Sequence, residues 1–460
     1  MRRSESVSVT GFGTRSGWSR IQAERIERTA ATTAPIIYPP SVDPAPDVHV
    51  WDTWFLRNRD GSIAEIDGWR VVFSLTAPAD RLPGKRHDVA TIRYFYSRDG
   101  KRWHDGGPVF EAGNPLGSRQ WAGSALYDGA GEAGDGSRSG GEIYLFYTAA
   151  GHRGESELSY RQRIAAASGG RVRVTDDEFG IAGPFDHEIL LTPDGDRYET
   201  EAQSRGPIYT FRDPWFFEDP ETGRTHLLFE ANTPVRDRAD LEDDDPSSLE
   251  FNGSIGLATS PTGDPTDWEF ERPLVDAVRV NQELERPHVI YRDGRYHLFF
   301  SSHRHTFAPG LDGPDGLYGF VADSLQGEYR PLNDSGLVLT NPESAPYQAY
   351  SWLAYPHDGE ILVSSFFNYY DLGSLHIDDV GSLPAEEQFS RFGGTLAPTV
   401  RLALEGDRTR VRGTLDHWQL PAGDDALPPL LTDLVDATDE QEDGTEGYDT
   451  GADSPAASAE

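Results

Sequence analysis

Short runs of aromatic and β-branched residues, separated by turn residues, recur along most of the chain and predict strands. The runs with this pattern are residues 69–75, 91–97, 142–148, 161–167, 225–230, 254–259, 295–301, 317–322 and 360–366. Helical periodicity is scarce between them. The chain is therefore predicted to be almost entirely β.

A degenerate repeat accompanies these strands: a strand ends in Ser and is followed by a turn and an aromatic residue. The pattern leads from Ser97 to Trp103, from Ser260 to Trp268 and from Ser324 to Tyr329. Repeated antiparallel units without long helices are typical of a β-propeller. We therefore predict an all-β propeller over residues 41–420, preceded by an N-terminal extension, 1–40, and followed by a tail, 421–460.

The acidic residues are unevenly distributed. From residue 432 onward the chain is rich in Asp, Glu, Ser, Ala and Gly and poor in aromatics, which predicts a disordered tail. The acidic segment 237–245 and the Gly- and Ser-rich segment 129–141 are predicted to be exposed loops.

The composition points to a protein adapted to high salt. Asp and Glu total 77 against 41 Lys and Arg, the formal net charge is −36, and Lys85 and Lys101 are the only lysines. A dense carboxylate surface repels itself in dilute buffer, and molar salt screens that repulsion. The same charge disfavours nucleic acid and anionic membranes as partners. The 10 Trp, 19 Tyr and 22 Phe supply a large core, which excludes disorder for the bulk of the chain.

Targeting signals and covalent cross-links are scarce. No segment approaches the length of about eighteen apolar residues that spans a bilayer. Met1, Arg2 and Arg3 begin as a twin-arginine signal would, but no apolar stretch follows, so a recognisable signal peptide is missing. The chain has no cysteine and hence no disulfide.

Three acidic motifs carry the chemistry that cuts a glycosidic bond: Val-Trp-Asp-Thr-Trp at 50–54, Phe-Arg-Asp-Pro-Trp at 211–215 and Glu-Leu-Glu-Arg-Pro-His at 283–288. Such cleavage needs one ionised carboxylate and one protonated carboxyl group. Glu283 lies two residues before Glu285, and a second carboxylate nearby raises the pKa of one member of such a pair. Asp52 has no basic neighbour in sequence. Glu285 is thus the candidate acid, Asp52 the nucleophile, and Asp213 a holder of sugar hydroxyls. Taken singly, Asp52 within an aromatic run is more often a turn or bulge residue that hydrogen-bonds its own backbone, and Glu285 with Arg286 is more often a surface ion pair.

Taken together, the motifs resemble the fructansucrases of glycoside hydrolase family 68, the levansucrases and inulosucrases. The resemblance runs from about residue 45 to about residue 415 and rests on motifs in the family's order. These are Trp-Asp-Thr-Trp at 51–54, Gln-Trp-Ala-Gly-Ser-Ala at 120–125, Leu-Thr-Pro-Asp-Gly at 191–195, Arg-Asp-Pro at 212–214, Glu-Leu-Glu-Arg-Pro at 283–287 and Gly-Pro-Asp-Gly-Leu-Tyr-Gly-Phe at 313–320.

The resemblance implies five blades around a central funnel and a retaining fructosyltransferase acting on sucrose. It implies that Asp52 is the nucleophile, Asp213 the transition-state stabiliser and Glu285 the general acid and base. The remaining site residues that it implies are Trp51 and Trp121 as walls for the fructosyl unit, Arg212 and Glu283 for the glucosyl unit or acceptor, and His303, with Arg304 as its competitor, in the acceptor subsite. It also implies action outside the cell on sucrose and fructan acceptors. We further expect a monomer that needs no cofactor.

Two positions depart from the family pattern. Ala122 stands where many members carry a Ser that supports the nucleophile, and Gln282 stands where Gram-positive members carry a calcium-binding Asp. Calcium prefers carboxylate oxygens, so no metal site is predicted. An invertase-like or arabinan-cleaving hydrolase and a noncatalytic sugar-binding propeller remain alternatives, and the linkage, inulin or levan, stays open.

Overall fold

A computed structural model describes residues 16–129, 141–175, 177–234, 250–373 and 375–429. Most of the predicted loop 129–141, the acidic loop 237–245 and the tail from residue 432 lie outside these ranges. Within them the chain is built from short antiparallel strands.

The first nine strands form one sheet that has two antiparallel halves. The first half is β1 Val48–Arg57, β2 Arg70–Pro78, β3 Thr91–Ser97 and β4 His104–Pro108. The second half is β5 Arg119–Asp128, β6 Glu142–Ala150, β7 Gln162–Val174, β8 Phe179–Ala182 and β9 Asp186–Leu191. A short parallel pairing between β1 and β5 joins them, with Leu56 opposite Ala125 and Arg57 opposite Leu126.

Three further sheets have five strands each. The first is β10 Phe211–Glu218, β11 Thr225–Asn232, β12 Gly253–Thr259, β13 Glu269–Phe270 and β14 Val275–Asp276. The second is β15 Glu285–Arg292, β16 Arg295–Ser302, β17 Gly316–Ala322, β18 Arg330–Pro331 and β19 Leu337–Thr340. The third is β20 Ala349–His357, β21 Glu360–Tyr369, β22 Phe392–Leu396, β23 Pro398–Glu405 and β24 Arg408–His417.

Helices are few and short in the described part of the chain. They are α1 Arg20–Ala23, α2 Ile377–Val380 and α3 Ala385–Ser390, with 3-10 turns at Pro83–Val89, Arg304–Thr306 and Leu332–Asp334. None of these described helices is long and apolar enough to cross a membrane.

Five inner strands, β1, β5, β10, β15 and β20, close a ring at the centre. Each packs against the next, and β20 packs against β1. Each antiparallel group extends outward from its inner strand, which is the arrangement of propeller blades. The all-β propeller prediction is confirmed. The count of five blades depends on dividing the nine-stranded sheet between β1 and β5, and it stays a prediction.

The N-terminal residues pack onto this body. The Trp18 ring is 2% exposed and lies against Phe300, Tyr318 and Phe320, and its indole N–H donates to the Ser335 carbonyl oxygen at 3.1 Å. The described residues up to Asp425 form one compact unit, and residues 426–429, which contain neither helix nor strand, are grouped apart from it. The domain boundaries at residues 40 and 420 remain predictions.

Candidate active site

A bulge near the start of each inner strand directs side chains toward the centre of the ring. The strand pairing is irregular between residues 51 and 54, 121 and 123, 212 and 215, 285 and 288, and 350 and 353. Four bulge residues have positive φ, namely Asp52 at 46°, Asp213 at 59°, Arg286 at 50° and Ser351 at 57°. This conformation costs a non-glycine residue roughly 1–3 kcal/mol, so the surrounding contacts have to hold it.

Arg286 holds three of these bulges together. Its backbone N–H donates to Asp213 Oδ2 at 3.1 Å, and its Nη2 donates to the Thr53 carbonyl oxygen at 2.5 Å, directly after Asp52. Its Nη1 donates to the Ser351 carbonyl oxygen at 3.0 Å and to Ser351 Oγ at 2.9 Å. Arg286 is only 6% exposed. One buried residue therefore fixes the positions of both candidate aspartates.

Arg212 lies at the centre of a buried group of carboxyl groups. Its Nε donates to Glu230 Oε2 at 2.7 Å, and its Nη2 donates to Glu283 Oε1 at 2.5 Å and to Glu285 Oε1 at 2.8 Å. Asp213 Oδ2 is 3.9 Å from the same Nε. One guanidinium cannot neutralise four buried carboxylates, so part of the group has to keep its protons.

The pKa shifts follow from this arrangement. Burial first, and then the charge of Glu283, raises the pKa of Glu285 to about 7, against the opposing effect of Arg212. Burial also raises the pKa of Asp213 to about 7 and that of Glu230 well above its ordinary value. Burial opposes the charge on Arg212, but the surrounding carboxylates hold its pKa well above the ordinary value. At neutral pH the site can thus supply a carboxylic acid proton, as the sequence predicted for Glu285.

Asp52 is half-buried next to Trp51 in the chain. The structure also brings near it a cationic side chain, Arg86, that lies outside the motif in sequence. The Arg86 guanidinium lies 5.4 Å from the centre of the Trp51 ring, and its charge interacts with that of Asp52. Asp52 therefore has no basic neighbour in sequence but does have one, Arg86, in the folded structure. Arg86 comes from the 3-10 turn Pro83–Val89, between β2 and β3.

The two predicted tryptophan walls converge on the same turn. The Trp51 ring contacts the His87 ring edge-on at 5.2 Å, and the Trp121 indole N–H donates to the His87 carbonyl oxygen at 3.3 Å. Trp51 is 1% exposed and Trp121 is 8% exposed. Ala122, next to Trp121, accepts a hydrogen bond through its backbone carbonyl from Thr148 Oγ1 at 3.2 Å, and Thr148 Oγ1 in turn accepts the Asp213 backbone N–H at 2.9 Å.

Of the two competing residues after β16, the structure brings His303 to the carboxyl groups. Its Nδ1 lies 3.1 Å from Asp315 Oδ2. Although burial lowers the pKa of His303, Asp315 raises it to about 9, so the ring is cationic at neutral pH. The Arg304 guanidinium is exposed and pairs with Asp312 at 2.8 Å, while its backbone N–H donates to Asp315.

Tyr350 is a site residue that the sequence motifs did not single out. It occupies on β20 the bulge position that Trp51, Trp121, Arg212 and Glu285 occupy on the other inner strands. Its hydroxyl donates to Glu285 Oε2, and its ring stacks on His303 with centres 3.6 Å apart and planes 11° apart. Recognition of the repeated inner strand in the sequence would have found it.

A metal ion would have to displace groups that already interact. Two groups of side chains have potential ligand atoms within 4.8 Å of one another: Glu283, Glu285 and His303 form one, and Asp213, Glu230 and Glu285 form the other. Arg212 already contacts both groups. Gln282 uses its amide for two backbone contacts, accepting from Asn252 N at 3.1 Å and donating to the Ile208 carbonyl oxygen at 2.6 Å. The predicted lack of a metal stays a prediction.

We expect Arg286→Lys to lower kcat about 100-fold. Lysine keeps the charge but cannot reach Thr53 and Ser351 with a planar fork, and a shift of about 1 Å in a catalytic group can cost about 100-fold in rate. Ser351→Ala is the matched variant, because it removes one of these bonds and leaves the Thr53 contact. A kcat within twofold of wild type for Arg286→Lys, measured on folded protein, would contradict the positioning role.

Comparisons with known proteins agree in family and fold. A family model described as levansucrase/invertase matches residues 9–421. A levansucrase of Rahnella aquatilis is 35% identical over 433 residues, covering 88% of this chain and 96% of the relative. An extracellular sucrase of Zymomonas mobilis is 35% identical over 421 residues, covering 88% and 95%.

Solved structures give the same result. An inulosucrase from Halalkalicoccus jeotgali bound to kestose is 64% identical, with a TM-score of 0.86 over 91% of this chain and 100% of that chain. The catalytic domain of a beta-fructofuranosidase from Microbacterium saccharophilum K-1 is 30% identical, with a TM-score of 0.74 over 90% and 95% of the two chains.

Proposed function

This chain belongs to the levansucrase/invertase family, glycoside hydrolase family 68, and from that premise we propose how its residues divide the work of fructosyl transfer. The enzyme is a fructosyltransferase that takes the fructosyl unit from sucrose. The observation that carries the assignment of roles is the pair of half-buried carboxyl groups with different surroundings: Asp52, whose charge interacts with that of Arg86, and Glu285, which lies among other carboxyl groups and has a raised pKa.

In the first step the Asp52 carboxylate attacks the anomeric carbon of the fructosyl unit and forms a covalent ester-like bond to it. The glycosidic bond breaks, and Glu285 donates its proton to the departing glucosyl oxygen. Asp213, held by the Arg286 N–H, accepts hydrogen bonds from fructose hydroxyls as charge develops on the ring.

In the second step the acceptor hydroxyl gives its proton to the Glu285 carboxylate and attacks the same carbon, releasing Asp52. The two inversions together retain the configuration, which needs the two carboxyl groups about 5–5.5 Å apart. Water as acceptor gives hydrolysis, and sucrose or a fructan gives a longer chain. Transfer therefore depends on how well the acceptor competes with water.

Unpaired polar atoms in the site support a sugar ligand. Trp51 Nε1 and Glu283 Oε2 are buried and have no hydrogen-bond partner in the described residues. Hydroxyl groups of a bound sugar can satisfy both. We assign Trp51 and Trp121 to the fructosyl subsite, and Arg212, Glu283 and His303 to the glucosyl unit or the acceptor; Arg304, directed to Asp312, is a weaker candidate.

We propose an inulin-type linkage, in which the acceptor 1-hydroxyl attacks. The 64% identity to an inulosucrase supports it, against 35% to the levansucrase of Rahnella aquatilis. Carbon NMR of the polymer made from sucrose tests it, since inulin and levan give different ring-carbon shifts. A levan spectrum would overturn the linkage and leave fructosyl transfer standing. The hydrolase alternative predicts no polymer at all.

We further propose that the protein acts outside the cell as a monomer. An extracellular sucrase among its relatives supports the location, and size-exclusion chromatography with light scattering tests the oligomeric state.

We expect activity to depend on salt. At a net charge of −36, moving from molar to about 0.1 M salt lengthens the screening distance from about 3 to about 10 Å and restores carboxylate repulsion. Activity and near-ultraviolet circular dichroism should fall together on dilution and recover when NaCl is added back. Full activity in dilute buffer would contradict halophilic adaptation without touching the catalytic proposal.

A further inference from the structure

One loop at the mouth of the site presents an exposed aromatic side chain. The catalytic residues lie near the starts of the inner strands, and antiparallel pairing places the end of each second strand beside them. Arg119 on β5 pairs with Ala150 on β6, so the β6–β7 loop, residues 151–161, lies at this end. The corresponding loop after β16 carries His303. The His303 ring stacks on Tyr350, whose hydroxyl donates to Glu285.

Tyr160 at the end of this loop continues the aromatic wall outward. The Tyr160 side chain is 62% exposed and Leu158 is 45% exposed. The Tyr160 ring lies 6.5 Å from that of Trp121, and the Arg119 guanidinium contacts both, 5.7 Å from the phenol ring and 5.1 Å from the indole. The buried Arg119 side chain thus links the buried Trp121 ring to the exposed Tyr160 ring.

Several side-chain hydrogen bonds brace the loop. Glu155 accepts hydrogen bonds from Ser118 Oγ at 2.5 Å, from Ser159 Oγ at 2.7 Å and from the His152 backbone N–H at 3.0 Å. Arg119 Nη2 donates to the Ser159 carbonyl oxygen at 2.8 Å, next to Tyr160. The exposed ring is therefore presented on a preorganised support, which lowers the entropy lost on binding a ligand.

We propose that Tyr160, with Leu158, forms a further carbohydrate subsite outside the catalytic pocket that holds a unit of a neutral fructooligosaccharide acceptor. This inference rests on the proposed fructosyl transfer. An exposed aromatic face packs against the apolar face of a sugar ring, and the net charge of −36 favours a neutral ligand over an anionic one. The subsite would retain long acceptors between transfers and lengthen the products.

The test measures binding in the Asp52→Asn background, where turnover does not interfere. Calorimetry measures the affinities for sucrose and for an inulin-type pentasaccharide in Asp52→Asn alone and in Asp52→Asn with Tyr160→Ala. We expect the affinity for the pentasaccharide to fall three- to tenfold more than that for sucrose, and Tyr160→Trp to restore it. Tyr38→Ala, which truncates another exposed tyrosine (75% exposed) on the N-terminal segment, is the control and should change neither affinity.

Product length gives the second readout. In the active enzyme, Tyr160→Ala should shift the products toward shorter chains at equal sucrose conversion. An equal loss of affinity for sucrose and pentasaccharide, or no loss for either, would overturn the subsite. If the active enzyme makes no transfer product, the proposed function fails, while the binding comparison still decides whether Tyr160 holds a sugar.

Discussion

Replacing Asp52 by Asn is expected to lower kcat on sucrose by at least about 10⁴-fold, because the amide is a poor nucleophile and no fructosyl-enzyme bond can form. The side chains have nearly the same size, and Asn tolerates the positive φ of 46° at this bulge. The fold should therefore persist. Near-ultraviolet circular dichroism and thermal unfolding check the fold, and glucose release from sucrose measures the rate.

Asp358→Asn is the matched control for this experiment. Asp358 is exposed in the β20–β21 turn and has the same φ of 46°, but it lies outside the site. It should keep wild-type kcat. Wild-type kcat in Asp52→Asn would remove Asp52 from the nucleophile role, and a loss of activity in both variants would point to backbone strain instead.

Glu285→Gln is expected to lower kcat on sucrose by about 10²–10⁴-fold, the usual contribution of a positioned general acid. The glucosyl oxygen is a poor leaving group and needs the proton. An aryl fructoside that releases a phenolate of low pKa does not need this proton. The rate at which the aryl fructoside forms the fructosyl-enzyme should therefore fall far less in Glu285→Gln than the rate for sucrose. An equal loss on both substrates would contradict the assignment of Glu285 as the acid.

The pH profile gives a second test of Glu285. Burial first, and then the charge of Glu283, raises its pKa to about 7. The proton is therefore present below about pH 7 and is lost above it, so kcat/KM for sucrose should decline on the alkaline side with an apparent pKa near that value. The decline should weaken in Glu285→Gln when the aryl substrate is used. An unchanged alkaline decline would assign it to another member of the group, such as Asp213.

The sequence predicted the strands and the three acidic motifs because both are local patterns. Alternating aromatic and β-branched runs indicate strands wherever one face is buried. The motifs around Asp52, Asp213 and Glu285 lie on β1, β10 and β15, three inner strands whose bulges turn these residues toward the ring centre. The positive φ angles of those bulges left no pattern that hydrophobic periodicity could detect.

The contacts that tune the site are long-range, and the sequence could not show them. Arg86 approaches Asp52 from the β2–β3 connection, and Arg286 joins β15 to β1 and β20. The raised pKa of Glu285 was attributed in the sequence to Glu283, but burial is the larger cause. Burial depends on the closure of the whole ring, which no local motif encodes.

The N-terminal segment gives the same lesson. Its residues 16–34 contain few strand signals and were predicted as part of an extension. Trp18 is nevertheless buried against aromatics of β16 and β17, and the Ala34 N–H donates to the Thr340 carbonyl oxygen on β19 at 2.9 Å. The aromatic residues that bury Trp18 lie nearly three hundred residues away in sequence, so a local sequence pattern cannot predict this contact.

The most direct measurement is an incubation with sucrose in molar salt that follows glucose and fructose separately. Fructosyl transfer predicts that glucose exceeds free fructose, with the difference recovered in fructooligosaccharides or polymer. Equal release of glucose and fructose at every sucrose concentration would instead describe a hydrolase and contradict fructosyl transfer to sugar acceptors.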